Sequence, residues 1–116
     1  MANVNRVILS GNLTNTPVLK STNNGTQVTD LPIAVNRYYR TGDSEMQQET
    51  TYVDITVFGK QAEIAAKYLT KGRKIFIEGR LHLDQWVNND NEKRRKLKVI
   101  GEKIEFSDNN VDSDSN

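Results

Sequence analysis

The eight residues Thr51-Tyr52-Val53-Asp54-Ile55-Thr56-Val57-Phe58 decide the fold, because two kinds of side chain alternate along them. A β-strand turns successive side chains to opposite faces. One face of this segment carries a threonine and three branched aliphatic residues, which suit a core. The other face carries two aromatic residues, Tyr52 and Phe58, among polar neighbours. The segment therefore predicts a strand with one buried face and one open, aromatic face.

Four more strands are predicted around this segment. In chain order, the five strands run from Asn5 to Leu13, Val28 to Tyr39, Thr51 to Phe58, Arg73 to Trp86 and Lys93 to Phe106. The fourth strand alternates like the third. Its face predicted to enter the core consists of Ile75, Ile77, Leu81 and Leu83.

The segments between the strands predict a helix and a tight turn. Apolar residues recur at helical spacing from Lys60 to Thr70, and Gly72 follows as a helix stop, so one short helix is expected there. Asn24-Gly25 is a strong hairpin signal ahead of the second strand. Pro32 within that strand indicates a sheet edge or a bulge.

This order of strands and helix predicts an all-β protein. It matches the OB-fold, a five-stranded Greek-key barrel with one short helix between strands 3 and 4. The open face of that barrel binds oligonucleotides or oligosaccharides. A five-stranded meander with a lateral helix is the main structural alternative.

Composition excludes several classes of protein. The chain has 116 residues, enough for one domain and one core. It has no Cys, which excludes disulfides, thiol catalysis and cysteine-based metal sites, and its one His, His82, leaves little for a metal or a catalytic triad. No nucleophile elbow or phosphate-binding loop is present either. We therefore expect no enzyme activity, no cofactor and no metal.

The start of the chain bears on localisation, and the distribution of charge along the chain bears on the kind of partner. No export or membrane signal is seen near the start, so a cytoplasmic protein is expected. Residues 1–106 hold all 16 Lys and Arg but only 12 of the 15 acidic residues, a net charge of +4, whereas residues 107–116 hold three aspartates. This asymmetry predicts a basic folded domain at 1–106, an anionic partner for it, and a short disordered acidic tail at 107–116.

Aromatic and basic side chains occur together on the predicted open faces. Single-stranded nucleic acid is bound by aromatic rings that stack on bases and by cations that follow the phosphates. Phe76 and Trp86 share the open face of the fourth strand, and Tyr38-Tyr39 ends the second. The basic residues that accompany these aromatics, or form the densest run of positive charge, are Arg37, Arg40, Lys74, Arg80, Lys93, Arg94, Arg95, Lys96 and Lys98.

Three stretches of the sequence carry a resemblance to a known family. They are Asn5 to Leu13 with Pro17, Tyr52 to Glu63, and Tyr68 to Leu81 with Trp86. In this order and spacing, over residues 3 to about 106, they resemble the bacterial single-stranded DNA-binding protein family. The resemblance implies an OB-fold homotetramer that wraps single-stranded DNA in replication, recombination and repair without catalysis. In the cytoplasm such a protein would be associated with the nucleoid.

The resemblance also assigns roles to residues. By position, the stacking aromatics would be Tyr39, Tyr52, Phe58 and Trp86, and the matching basic residues would be Arg6, Lys60, Lys71 and Arg73. Strict alternation from Leu31 instead places Tyr38 on the open side and Tyr39 on the core side. A bulge near Arg37 is therefore expected, because it would bring Tyr39 to the open face.

The end of the chain departs from the family pattern. Family members usually close on an acidic tip with a terminal Pro-Phe that recruits replication and repair proteins, whereas this sequence ends in Asp114-Ser115-Asn116. The resemblance therefore does not carry that recruitment over. Two other functions stay open at this point: a primosome-assembly accessory protein on the same fold, and an OB domain that binds oligosaccharide or protein.

Overall fold

The computed structural model describes residues 2–42 and 45–106. Its elements in chain order are β1 Val7–Leu13, β2 Lys20–Ser21, β3 Gln27–Arg40, β4 Met46–Phe58, α1 Lys60–Tyr68, β5 Lys74–Val87 and β6 Lys93–Phe106. The five long strands and the helix are those predicted, and β2 is an additional two-residue strand before the Asn24-Gly25 turn. The acidic tail predicted at 107–116 lies outside the described residues. No helix in the described ranges is long and apolar enough to cross a membrane.

The strands form one sheet in the order β1-β5-β6-β4-β3-β2, which β1 closes by pairing also with β3. Asn12 and Leu13 lie opposite Ala34 and Ile33 at this closure. The pairing of β4 with β6 is parallel and the others are antiparallel. Because β6 lies between β5 and β4, the order is not sequential, so the meander alternative is wrong. The closed five-stranded barrel with a short helix between β4 and β5 is the predicted OB-fold.

Alternation along the strands fills the barrel with branched aliphatic side chains. The helix adds Ala62 and Ala65, and Leu69 follows directly after it. The strand residues with the least exposed side chains in this core are Leu31, Ile33, Ile55, Val57, Ile75 and Ile77. Fully burying one such side chain contributes roughly 1.5–3 kcal/mol. The aliphatic face of the segment at 51–58 therefore enters the core where Ile55 and Val57 lie.

Two glycines face each other where β5 crosses β6. Glu78 lies opposite Lys103 but Gly79 lies opposite Gly101, so β6 holds one extra residue at this point. A Cβ atom on Gly79 would collide with the Ile100 carbonyl oxygen, and one on Gly101 would lie 2.8 Å from Val57 Cγ1. Val99 and Ile104 are an odd number of positions apart, so a regular strand would turn them to opposite sides. The extra residue allows both side chains to pack on the same core.

Leu81 and Leu83 correct one expectation of the sequence pattern. They lie on the same side of β5 as the buried Ile77, as predicted, but they are 43% and 40% exposed. Leu83 lies opposite Leu97, which is 61% exposed. Beyond the bulge, the β5–β6 hairpin extends past the barrel, so this face has no opposite wall.

Pro32 lies within β3 without a bulge. The register with β4 is continuous from Val28 opposite Phe58 to Arg40 opposite Met46. The Thr14 N–H donates to the Pro32 carbonyl on the β1 side. Since the nitrogen and oxygen of one strand residue point the same way, the N–H that proline lacks would face the end of β1 rather than β4. β3 has β4 on one side and β1 and β2 on the other, so it is not an edge strand, and Pro32 is accommodated without either expected feature.

Candidate nucleic-acid interface

Strand pairing joins one side of four strands into a continuous surface. Residues directly opposite each other in a sheet point to the same side. Tyr52 lies opposite Ala34, Thr56 beside Ile100, and Trp86 opposite Arg94. The surface formed by these residues and those that alternate with them on β3, β4, β6 and β5 is called the outer face.

Three aromatic side chains predicted to stack on bases lie on this outer face. Tyr52 is 74% exposed, and Phe58 and Trp86 are also exposed. Tyr52 has most of its surface in water, and Trp86 and Phe58 have 47% and 43% of theirs, so all three rings can be reached by a planar ligand.

Tyr38 and Tyr39 lie on opposite sides of the β3–β4 hairpin. The β3–β4 register has no shift, so the bulge expected near Arg37 is absent and that expectation is wrong. Tyr38 shares the outer face with Tyr52 and is 61% exposed. Tyr39 lies on the opposite side of the hairpin, with the Arg37 guanidinium carbon 4.9 Å from its ring centre. Strict alternation identified Tyr38 correctly, and that signal was in the sequence.

The predicted basic residues divide between the two sides of the sheet. Those on the outer face, by alternation and register, are Arg40, Lys74, Arg80, Arg94 and Lys96. Those on the opposite side are Arg37, Lys93 and Arg95. Those outside the strands are Arg6, Lys60, Lys71 and Arg73, of which Lys60 begins α1 and Arg73 directly precedes β5. A run of four basic residues in a strand necessarily alternates, so it cannot present all its charges to one face.

Several of these cations already have structural contacts. Arg37 pairs with Glu49, Arg80 with Glu102 and Arg94 with Glu92. Arg6 pairs with Glu78 at 3.2 Å. Arg73 donates to the Tyr68 carbonyl at the end of α1, and its guanidinium carbon lies 5.4 Å from the centre of the Phe106 ring. Arg73 therefore also links the end of the helix to β6.

Carboxylates occupy the middle of the outer face, and the sequence analysis assigned them no role. Lys96 Nζ lies 2.5 Å from Asp54 Oδ2, and Lys98 Nζ lies 2.9 Å from Asp84 Oδ2. His82 Nε2 is 3.4 Å from the other oxygen of Asp84. The hydrogen bond from Lys98 holds the pKa of Asp84 below its usual value, and the hydrogen bond to Asp54 raises the pKa of Lys96.

These pairs line a concavity of about 210 Å³. Its lining also includes Asp30, whose carboxylate accepts a hydrogen bond from the Thr56 hydroxyl at 2.9 Å. Three carboxylates and two ammonium groups therefore share the region between Tyr52 and Trp86. The sequence reasoning missed Asp54 and Asp84, although their alternation with Tyr52 and Trp86 was visible.

Phe58 lies at a second, more open groove. The turn between β2 and β3 forms its other wall with Thr22, Asn23, Asn24 and Thr26. The Thr22 hydroxyl and the Asn24 side chain bond each other and the Thr26 N–H, which fixes the turn. One exposed ring beside amide and hydroxyl groups suits a base and its polar edge. Across residues 2–42 and 45–106, no group of three or more His, Asp or Glu could hold a metal ion.

A closed OB barrel with exposed aromatics and cations on a continuous face defines a class: OB-fold proteins that bind extended oligomers. Within that class, the chain belongs to the single-strand binding protein family, whose model matches residues 4–107.

The relatives and structures that resemble this chain agree with that membership. A single-stranded DNA-binding protein of Wolinella succinogenes is 41% identical over 90% of this chain and 64% of its own length. One from Thermotoga maritima is 37% identical over 93% of this chain and 77% of its own length. The structure of a Plasmodium falciparum SSB complex with ssDNA aligns with a TM-score of 0.79 and 26% identity, over 92% of this chain and 97% of that one. The chain spans 61–66% of the length of the Wolinella and two Helicobacter relatives.

Proposed function

We propose that this protein binds single-stranded DNA with little sequence preference and without catalysis. The observation that carries the proposal is the exposure of Tyr52, Phe58 and Trp86 on one continuous outer face. Rings of this kind stack on any base, because every base has a π-face. Bases in a duplex are already stacked and paired, so they cannot reach the rings. The similar Plasmodium falciparum structure is an SSB complex with ssDNA, which supports the same ligand.

Binding would divide between stacking and phosphate contact. Tyr39, Tyr52, Phe58 and Trp86 would stack, and Tyr38 joins them on the evidence of its exposed position. The cations proposed to contact phosphates are Arg6, Arg37, Arg40, Lys60, Lys71, Arg73, Lys74, Arg80, Lys93, Arg94, Arg95 and Lys96. Because they lie on both sides of the sheet, a bound strand would have to pass around the β5–β6 hairpin to contact all of them.

The cellular role that fits this binding is coating and protecting single strands in replication, recombination and repair. The protein would act in the cytoplasm, at the nucleoid, and would need no cofactor. The relatives named above are single-stranded DNA-binding proteins, which favours this role over a primosome-assembly accessory protein. Recruitment of replication and repair proteins is not included in the proposal.

A competition experiment tests the ligand. Fluorescence anisotropy of a labelled oligo-dT strand should rise as the protein is added. Unlabelled oligo-dT should reverse the rise, whereas the same concentration of duplex or of a neutral oligosaccharide should leave it almost unchanged. Equal competition by duplex would contradict the proposal, and displacement by the oligosaccharide would favour the sugar-binding alternative.

The protein would act as a homotetramer, as the resemblance implies. On the β5–β6 hairpin, the side opposite the outer face carries the exposed Leu81, Leu83 and Leu97. Neighbouring apolar side chains of this size are usually covered by another protein surface. A second copy of the chain could cover them without obstructing Tyr52 or Trp86.

Residues 107–116 would act as an acidic segment attached to a DNA-binding domain at 1–106. The segment carries three aspartates, and the domain carries a net charge of +4. Opposite charges on one chain attract over about 8 Å at physiological salt, and over longer distances at lower salt. Protein ending at residue 106 should therefore bind oligo-dT modestly more tightly than the full chain at low salt. Equal affinity at low salt would contradict this role.

A further inference from the structure

The outer face is not uniformly basic between Tyr52 on β4 and Trp86 on β5. Asp54 follows Tyr52 by two positions on the same side of β4, and Asp84 precedes Trp86 by two on the same side of β5. A DNA strand that stacks on both aromatic rings would pass beside the concavity that Asp30, Asp54 and Asp84 line. With two lysines against three carboxylates, this concavity is net negative.

The ammonium groups in the concavity already have carboxylate partners. Lys96 contacts Asp54 across the β4–β6 boundary, and Lys98 contacts Asp84 across the β5–β6 boundary. A lysine in such a pair offers a phosphate little net charge while the carboxylate stays in place. To bind DNA, each lysine has to exchange its carboxylate for a phosphate, and the released carboxylate then takes up a cation from solution.

Stability of the fold does not explain these pairs. The side chains of Asp54 and Asp84 are 49% and 44% exposed. An ion pair as exposed as Lys96–Asp54 contributes about 0–1 kcal/mol to folding. The Lys98 side chain is 19% exposed, so its pair with Asp84 is more shielded from water. The position of both pairs between the stacking residues is therefore more informative about function than their contribution to the free energy of folding.

We propose that Asp54 and Asp84 are internal competitors of DNA phosphate, which hold Lys96 and Lys98 in the free protein and so limit affinity for single-stranded DNA. This inference rests on the proposed function and adds two residues that reduce binding. Lys98, which belongs to the same basic run as Lys96, would then contact phosphate only after the exchange. Weaker binding that exchanges readily suits a protein that has to dissociate from single-stranded DNA when other enzymes act on that DNA.

The test compares Asp54→Asn and Asp84→Asn with the unmodified full chain, using oligo-dT at salt concentrations between about 50 and 200 mM. Asparagine keeps the size of the side chain and removes its charge. Each variant should bind about two- to five-fold more tightly at the lowest salt, the scale of one exposed charge interaction. The slope of log affinity against log salt should become steeper by up to about 0.7, because no cation is taken up by a released carboxylate.

Glu105→Gln is the matched control. Glu105 also pairs with a lysine on β6, Lys103 at 3.4 Å, but it lies opposite Phe76, away from the concavity. The same change of net charge there should leave affinity and slope nearly unchanged. A gain equal to that of the Asp54 variant would show a general charge effect and overturn the proposal.

A double variant tests whether Asp54 acts through its lysine. In a protein that already carries Lys96→Ala, Asp54→Asn should give less than half of its gain in affinity. A full gain in that background, or no gain from either asparagine variant, overturns the proposal. So does a selective loss of oligo-dC relative to oligo-dT binding, which would mean that the carboxylates accept hydrogen bonds from cytosine amino groups instead. If the unmodified chain itself fails to bind oligo-dT, the proposed function fails as well, so the two failures are distinguishable.

Discussion

Tyr38 and Tyr39 are neighbours in the chain but lie on opposite sides of the β3–β4 hairpin. Tyr38 shares its side with Tyr52, so Tyr38→Ala should weaken oligo-dT binding by about 1–3 kcal/mol, the contribution of one stacked base. Tyr39→Ala should cost less, because the Arg37 guanidinium lies against that ring. Anisotropy titrations of the two variants, with melting temperatures to confirm folding, measure the difference. A larger loss from Tyr39→Ala would mean that DNA follows the other side of the hairpin.

At the same scale, alternation predicted which side each aromatic occupies, and it did so without knowledge of the fold. It identified the exposed sides of Tyr52, Trp86 and Tyr38, the last against the family resemblance. It could not predict the partner of Lys96 or Lys98, because an ion pair across two strands depends on their register. A single extra residue in β6 shifts that register. The extra residue shows in the sequence as a change of parity between Val99 and Ile104, which does not identify the strands that pair.

At the scale of elements, the crossing of β5 and β6 depends on two glycines, which have no side chain to separate the strands. Gly79→Ala would force a methyl group against the Ile100 carbonyl oxygen, and Gly101→Ala would press on Val57. Overpacking of this kind costs about 1–3 kcal/mol. Each variant should therefore melt at a lower temperature than the unmodified chain, as measured by circular dichroism.

Gly42→Ala is the control for these two variants, because a Cβ atom there meets nothing within 4 Å. It should leave the melting temperature nearly unchanged. If Gly79→Ala were equally harmless, the close approach of β5 and β6 would not be a requirement of this fold.

Strand and helix positions were predictable because each element repeats its own period over many residues. The helix expected from Lys60 to Thr70 forms over Lys60–Tyr68, and the fifth predicted strand has the bounds expected for it. The burial of a residue was less predictable than the side of the strand on which it lies. Leu81 and Leu83 lie on the side expected for the core, yet the barrel ends before it can cover them. Alternation reports the side of a strand, whereas burial depends on where the opposite wall stops.

At the scale of the whole molecule, the exposed leucines of the β5–β6 hairpin lead to a prediction about assembly. The unmodified protein should have a mass in solution of about four times 13.2 kDa, as measured by light scattering. Replacing Leu83 and Leu97 together by glutamine should lower that mass at the same concentration, because each buried leucine contributes roughly 1.5–3 kcal/mol. Val18→Gln, an exposed apolar residue outside the hairpin, is the control and should not change the mass. A monomeric unmodified protein would contradict the tetramer.

Trp86 is the only tryptophan in the chain, so its fluorescence reports on one point of the outer face. The most direct test of single-stranded DNA binding by base stacking is therefore a titration of this fluorescence with oligo-dT at several salt concentrations. Saturable quenching is expected, with an affinity that falls linearly in log salt by about 0.7 per phosphate neutralised. Unchanged Trp86 fluorescence at saturating oligo-dT, or the same quenching by duplex, would contradict the account.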